Sequence, residues 1–485
     1  MLAAVGRIKI TPPDFLGGYI GKRMAGYNPT PICEGKYDDI YAYAVLIEEV
    51  ILNNIKKYLL LISMDILQIP LLFSEYIKEK IEEKYKIHKN QILIHATHTH
   101  KSMDMTGVFS MGKNFPSVIK GIIRGAYIVW NDKYKVWIAK QITELVGNLL
   151  KDLKPTKIGF KRELINEPIV RNRKKNIRFD QFMNVIVLKS IETDKIYSII
   201  CNFGIHPTTM GHKDKYLSAE YPGAFVRHIL EISNGMILGI YFTAPAGNLG
   251  PLFGGIAQKF DKPFYYRNNE GKLVKQSHYA FTKKLGMIIA DYAYKIANEI
   301  NSEDYYDEIH FKGYTHTFWV PMEDYTKRYI SPIVKFKNRI VHLVKRYILI
   351  PLAIHLANWK EPNFPGFALK HKKNKINVYS ILQYFIVELS NNSKKEIYSI
   401  VGVPGELFTE LADKIMKYSI TKPENTIIFQ ASNDWIAYLF PLSEYILYGG
   451  YEPMASFCPL CGAYVVNNFK ELIENIKNEI NNGFS

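Results

Sequence analysis

Between Ala42 and Ala96 the chain alternates between strand-like and helix-like hydrophobic patterns, and this rhythm restricts the fold more than any other feature. Ala42 to Glu48 and Tyr58 to Met64 are nearly continuous apolar runs of strand length. Leu71 to Lys86 reads as an amphipathic helix, and Gln91 to Ala96 as another strand. Apolar strand followed by amphipathic helix is the pattern of a layered α/β core. Val5, Ile8 and Ile10 look like the first strand. Further strands are predicted at Phe182 to Ser190, Ile196 to Phe203, Met236 to Phe242, Val378 to Leu389 and Ile397 to Val403. Helices are predicted at Val136 to Leu153, His278 to Ile300 and Leu407 to Tyr418. The expectation is a single mixed α/β domain over residues 1–485, carrying long excursions.

Composition narrows the class. With 47% apolar and 22% charged residues, the chain can bury enough surface to exclude intrinsic disorder. A spanning helix needs roughly 18 consecutive apolar residues, and none occurs. Met1 to Pro13 lacks the basic start, apolar centre and cleavage site of a secretory signal. The four cysteines are too few for a disulfide framework. Cys458 and Cys461 form one C-P-L-C pair without two further ligands nearby, so reduced thiols or one local disulfide are expected. A cytoplasmic location follows as an expectation. The excess of 62 basic over 46 acidic residues, a net charge of +16, favours anionic partners. No nucleic-acid module is recognisable, and no specific nucleic-acid partner is expected.

Much of the positive charge is clustered, at Lys161 to Arg178 and Lys327 to Arg346. The second cluster belongs to a basic amphipathic insertion at about 325–365. Read as a helix, Ile333 to Ile350 puts Phe336, Ile340, Leu343, Val344 and Tyr347 on one face. Lys335, Arg339, Lys345 and Arg346 lie largely off it. Two readings fit: a surface helix packed on the core, or an interfacial helix that makes 327–350 a contact for an anionic membrane and the protein peripheral to it.

The chemistry concentrates in I-L-I-H-A-T-H-T-H, Ile92 to His100. In an extended loop residues i and i+2 share a face, so His98 and His100 are expected to point the same way. His206 follows a strand in N-F-G-I-H-P-T-T-M, Glu406 follows another in V-G-V-P-G-E, and Tyr438 lies in S-N-D-W-I-A-Y. Side chains just beyond strand ends are where α/β sheets collect their sites. Two imidazoles and a carboxylate would leave a zinc ion with open coordination, the arrangement of a catalytic metal.

These segments together resemble the neutral/alkaline non-lysosomal ceramidases, zinc-dependent amidases that split ceramide into sphingosine and a fatty acid. The resemblance runs in order through nearly the whole chain. It includes V-G-R-I-K-I-T-P, D-D-I-Y-A-Y-A-V-L-I at Asp38 to Ile47, L-L-L-I-S-M-D ending at Asp65, A-T-H-T-H and N-F-G-I-H-P-T. It continues through S-A-E-Y-P-G at Ser218 to Gly223, A-G-N-L-G-P at Ala246 to Pro251, V-P-G-E, N-D-W-I-A-Y and the run from Glu444 to Glu452. The resemblance implies a catalytic domain of central twisted sheets flanked by helices. It implies one Zn2+ per chain on His98, His206, Glu406 and Tyr438, with His100 as the catalytic residue that stabilises the oxyanion. It also puts Arg171 and Tyr451 in the substrate pocket.

The sequence departs from that family in three ways. Gly250 stands where the family has its serine nucleophile. The residues after T-H-T-H are Lys101-Ser102-Met103 rather than Ser-Gly-Pro, and Lys101 is expected either to bind an anionic substrate group or to face solvent. The chain ends soon after the last motif, without the C-terminal immunoglobulin-like domain of the membrane-facing members. The functional expectation is a zinc-dependent hydrolase of an amide or ester in a small-molecule or lipid-like substrate. Zinc-bound hydroxide takes the serine's place as nucleophile. Thr243 and Ser102 are the alternative hydroxyls. The competing expectation is a non-catalytic zinc-containing relative that binds a lipid or membrane surface.

Overall fold

The structure is a computed structural model. It describes residues 1–27, 30–50, 56–106, 129–174, 179, 181–252, 265–267, 273–275, 278–321, 368–372, 375–448 and 451–482. The basic insertion at about 325–365 lies outside them.

One large sheet carries the first half of the chain. Its main strands are β1 (Leu2–Lys9), β2 (Tyr41–Val50), β3 (Lys56–Met64), β4 (Ile92–Ala96), β5 (Lys154–Leu164), β6 (Phe182–Ser190), β7 (Ile196–Phe203) and β8 (Leu238–Thr243), in the spatial order β8-β7-β6-β5-β1-β2-β3-β4. Its two outermost pairs are parallel: β3 with β4, from Leu60 opposite Ile92 to Met64 opposite Ala96, and β7 with β8, from Ser198 opposite Leu238 to Phe203 opposite Thr243. The pairs between them are antiparallel.

Both faces of this sheet are covered, which explains why its strands read as continuous apolar runs rather than as alternation. In β2, Tyr43, Val45 and Ile47 enter one core while Ala42, Ala44 and Leu46 enter the other. The second core is closed by helices α1 (Leu71–Tyr85) and α2 (Val129–Leu149), through Phe73, Ile77, Ile138 and Ile142. The first is closed by α3 (Glu220–Ile232) and α4 (His278–Asn298), through Phe225, Ile229, Leu285 and Ile289. Truncating one such side chain, as in Leu61→Ala, costs about 2–5 kcal/mol.

A second sheet contains β9 (Glu308–Pro321), β10 (Lys375–Ser390), β11 (Lys395–Gly402) and β12 (Thr426–Phe429), in chain order. Here too the outer pair, β11 with β12, is parallel. Helices α5 (Thr409–Tyr418) and the long terminal helix α7 (Cys461–Asn482) pack on it, with the short helix α6 (Tyr451–Ala455) between them in sequence. The mixed α/β architecture is the one expected. The sequence reading missed β5, β9, β12, α3 and α7, and it began α2 seven residues late. Among the described residues no helix is long and apolar enough to cross a membrane.

Candidate metal centre

Three parallel strand pairs end at one place. His98 and His100 follow β4, His206 follows β7, Glu406 follows β11 and Tyr438 follows β12. The ends are fastened together by hydrogen bonds between different pairs, some from the strands and some from the segments just beyond them. Ser63 Oγ donates to Tyr241 O (2.7 Å), Thr243 N to His95 Nε2 (3.0 Å), Ile94 N to Asn433 Oδ1 (3.0 Å) and Ala246 N to Gln430 Oε1 (2.9 Å).

His98 and His100 do converge, but not by strand alternation. The backbone at His98 is left-handed, with φ +68°, and this turn sets its ring nearly perpendicular to that of His100, with centroids 5.1 Å apart. Eight non-glycine residues have positive φ among the described residues, and five of them lie in this neighbourhood: His98, Glu220, Ala431, Asn433 and Ala437. Backbone held in that region is costly and persists where the surrounding structure over-determines it.

The hydrogen bonds on Nδ1 fix the state of each imidazole. His98 Nδ1 is 2.7 Å from Leu67 O, His100 Nδ1 is 2.9 Å from Gly26 O, and His206 Nδ1 is 3.2 Å from Ala246 O. A carbonyl only accepts, so each Nδ1 carries the proton and each Nε2 of the neutral ring is a bare lone pair. The three Nε2 atoms face one another; those of His100 and His206 are 3.0 Å apart. All three histidines offer ligand atoms within 4.8 Å of one another, and all are buried. Burial holds the His100 and His206 rings well below the usual imidazole pKa. Three converging lone pairs repel unless something positive lies between them.

Glu406 completes the cluster. Its Oε2 lies 3.4 Å from His98 Nε2 and 3.6 Å from His206 Nε2. His98 Nε2 and Glu406 Oε2 are both buried without a hydrogen-bond partner. The other oxygen, Oε1, accepts the Trp435 indole N–H at 3.1 Å. Burial alone would raise the Glu406 carboxyl. The polar groups around it, the Tyr438 hydroxyl and the charge of Arg173 among them, outweigh it and keep the group below the ordinary carboxylate range. Glu406–Leu407 pairs in parallel with Tyr438–Leu439, and the Tyr438 ring lies parallel to that of His206, with centroids 6.3 Å apart.

Two glycines allow this closeness. Gly26 has φ +94°, and a Cβ there would lie 2.2 Å from His100 Nδ1. At Gly247 a Cβ would lie 2.4 Å from Glu406 O, so only glycine lets the 244–251 loop cross the main chain of Glu406 and Leu407.

Other expected residues fall elsewhere. Lys101, expected at a substrate anion or in solvent, is fully buried and donates from Nζ to Gly211 O and Asp214 O, both at 2.5 Å. Arg171 donates to Pro251 O (3.2 Å) on the strand that pairs with its own. Tyr451 opens α6, and its side chain lies outside the described residues. Thr243 Oγ1 is fully buried and donates to Thr97 O at 2.9 Å. The equally buried Ser102 Oγ accepts the Leu67 N–H at 3.0 Å. Neither hydroxyl is turned to the cluster. A Cβ on Gly250 would meet nothing nearer than the Arg173 stem at 3.7 Å. The four cysteines are buried free thiols.

The sequence reading missed Arg173 and Trp435. Arg173 donates to Gly247 O, and its guanidinium stands 5.9 Å from the centre of the Tyr438 ring. Being two residues beyond Arg171 in an extended segment was the signal available for it. Trp435 lies inside the motif that carries Tyr438.

No family model and no curated protein matches the chain. Solved structures do. The neutral ceramidase from Pseudomonas aeruginosa superposes with a TM-score of 0.68 at 16% identity, over 99% of this chain and 74% of that one. A structure described as ceramidase complexed with C2 gives a TM-score of 0.65 at 14% identity, over 99% and 75%. The chain therefore has a ceramidase-like fold, with a buried histidine cluster able to hold a metal.

Proposed function

We propose that this protein is a zinc-dependent hydrolase of an amide or ester bond, acting on a ceramidase-like or otherwise lipid-like substrate. The observation that carries the reading is the convergence of three buried imidazoles, of which His98 and His206 face a Glu406 oxygen that has no hydrogen-bond partner. His98, His206 and Glu406 would hold the cation, one per chain, with Tyr438 as the fourth ligand. Zinc bound there supplies Lewis acidity and lowers the pKa of water from about 15.7 to about 7.

The chain's own residues then have defined work. With Nδ1–H committed to Gly26 O, His100 can accept a proton on Nε2 from the attacking water. Only in that protonated state does Nε2 become a donor to the oxyanion, so acceptance comes before stabilisation. Arg173 holds positive charge beside Tyr438, which suits an anionic or oxyanionic group. Gly250 offers no nucleophile, and the two alternative hydroxyls are engaged elsewhere. Water is thus the nucleophile in this reading.

Cytoplasmic location and contact with an anionic membrane through 327–350 remain part of the proposal. Deleting that segment should abolish sedimentation with anionic liposomes.

Hydrolysis of a panel of N-acyl and ester substrates, with and without chelator, tests the reading. Turnover that the chelator abolishes and that survives Thr243→Ala and Ser102→Ala supports it. Stoichiometric zinc with no turnover on the panel would instead favour a non-catalytic, lipid- or membrane-binding relative.

A further inference from the structure

Ser218 to Gly223 is a motif that no catalytic role has absorbed, and at its centre lies a fully buried carboxylate, Glu220. Its Oε2 accepts the His100 N–H at 2.8 Å and lies 3.1 Å from Thr99 Oγ1. Its Oε1 accepts the Met210 N–H and the Thr209 hydroxyl, each at 3.0 Å. One oxygen therefore holds the loop that carries His98 and His100, and the other holds the loop that carries His206. None of these donors belongs to the helix that Glu220 begins, so ordinary capping does not account for the arrangement. The residue is held in a left-handed conformation, φ +50°, by its neighbours. Ser218 Oγ accepts the Glu220 N–H at 2.9 Å and donates to Asp38 Oδ2 at 2.8 Å.

A second link crosses the same gap. Lys101 directly follows His100, and its ammonium donates to Gly211 O and Asp214 O, just beyond Met210. A buried anion and a buried cation thus join the same two loops.

We propose that Glu220 is a positioning residue which, with Lys101, sets the separation of the two histidine-bearing loops and thereby the affinity of the cluster for its cation. This rests on the reading of the cluster as a metal site. Residues that orient metal ligands from behind typically change affinity about 10–100-fold when altered. Glu220→Gln keeps the shape but turns an NH2 toward one of the two main-chain N–H groups, so one loop loses its acceptor.

The test compares zinc affinity of Glu220→Gln and Lys101→Met with wild type, by titration against a competing chelator. Hydrogen exchange is followed alongside in the metal-free proteins. Bracing requires both variants to bind zinc more weakly, Glu220→Gln by about 10–100-fold. A pure charge effect has opposite signs, because removing Lys101 would favour a cation. Tighter binding by Lys101→Met, or an affinity for Glu220→Gln within about twofold of wild type, overturns the proposal. Exchange should quicken in both 97–101 and 207–212 in Glu220→Gln; unchanged exchange also overturns it. If wild type binds no zinc, the metal reading fails, and exchange alone decides whether the brace exists. Should Glu220→Gln not fold, Thr209→Val removes a single donor and should weaken zinc binding by about threefold.

Discussion

His98 Nε2 and Glu406 Oε2 lie 3.4 Å apart, buried, and neither has a hydrogen-bond partner. They follow strands of different sheets, and the main chain on both sides is fastened so that they must meet. A buried carboxylate oxygen left unpaired costs several kcal/mol of lost solvation. A divalent cation held by these residues would remove that cost and the repulsion among the imidazoles together. Affinity for the cation should therefore depend on the groups that aim Glu406 as well as on the ligands.

Trp435 is the first such group. Its indole N–H is the donor to Glu406 Oε1 at 3.1 Å. Trp435→Phe keeps the ring's bulk and removes the donor. Zinc affinity should fall about 10–100-fold while the fold is retained, as titration and near-ultraviolet circular dichroism will read. Unchanged affinity would mean that the indole only fills space.

Gly247 and Gly250 should respond oppositely to an added side chain. At Gly247 a Cβ would sit 2.4 Å from Glu406 O, whereas at Gly250 the nearest atoms are 3.7 Å away on a flexible arginine stem. Gly247→Ala should destabilise by about 1–3 kcal/mol and impair zinc binding, because the backbone it strikes carries a ligand. Gly250→Ser should shift the melting temperature by under about 4 °C. Equal effects in calorimetry would contradict the loop geometry.

Acid should weaken the metal-free protein. Burial holds the buried His95 well below 6.5, and Thr243 N–H donates to its Nε2, so the folded ring is neutral. His100 and His206 shift the same way. An unfolded histidine takes up a proton near pH 6.5, whereas the folded ones resist, so unfolding binds protons as pH falls. The stabilisation is present above about pH 6.5 and lost progressively below it, by up to ~1.4 kcal/mol per unit for each such group. Urea midpoints in the absence of metal should be lower at about pH 5.5 than at about pH 7.5. Equal midpoints would mean that these rings charge freely in the fold.

Much of the architecture was legible where a segment is buried on both faces. The apolar runs of β2, β3, β6 and β7 are long and uninterrupted, and their expected bounds came within two residues of those observed. β9 was missed because its alternation changes phase, with Ile309 and Phe311 buried at odd positions and Phe318 and Val320 at even ones. Helix α3 was missed because its first turn contains Pro222 and Gly223. His98, His206 and Glu406 were readable as candidates because each follows a strand that the sequence announces, whereas Tyr438 follows the missed β12 and was read from its motif. What sequence could not supply was distance. The brace from Glu220, the burial of Lys101 and the nearness of Arg173 all depend on contacts between segments more than 70 residues apart.

X-ray absorption at the zinc edge of the zinc-loaded protein reads the donor set directly. The result expected is one zinc per chain with only nitrogen and oxygen neighbours, at about 2.0–2.2 Å, and imidazole scattering that diminishes in His98→Ala and His206→Ala. A sulfur shell near about 2.3 Å, or zinc below stoichiometry in the folded protein, would contradict convergence of these side chains on one ion.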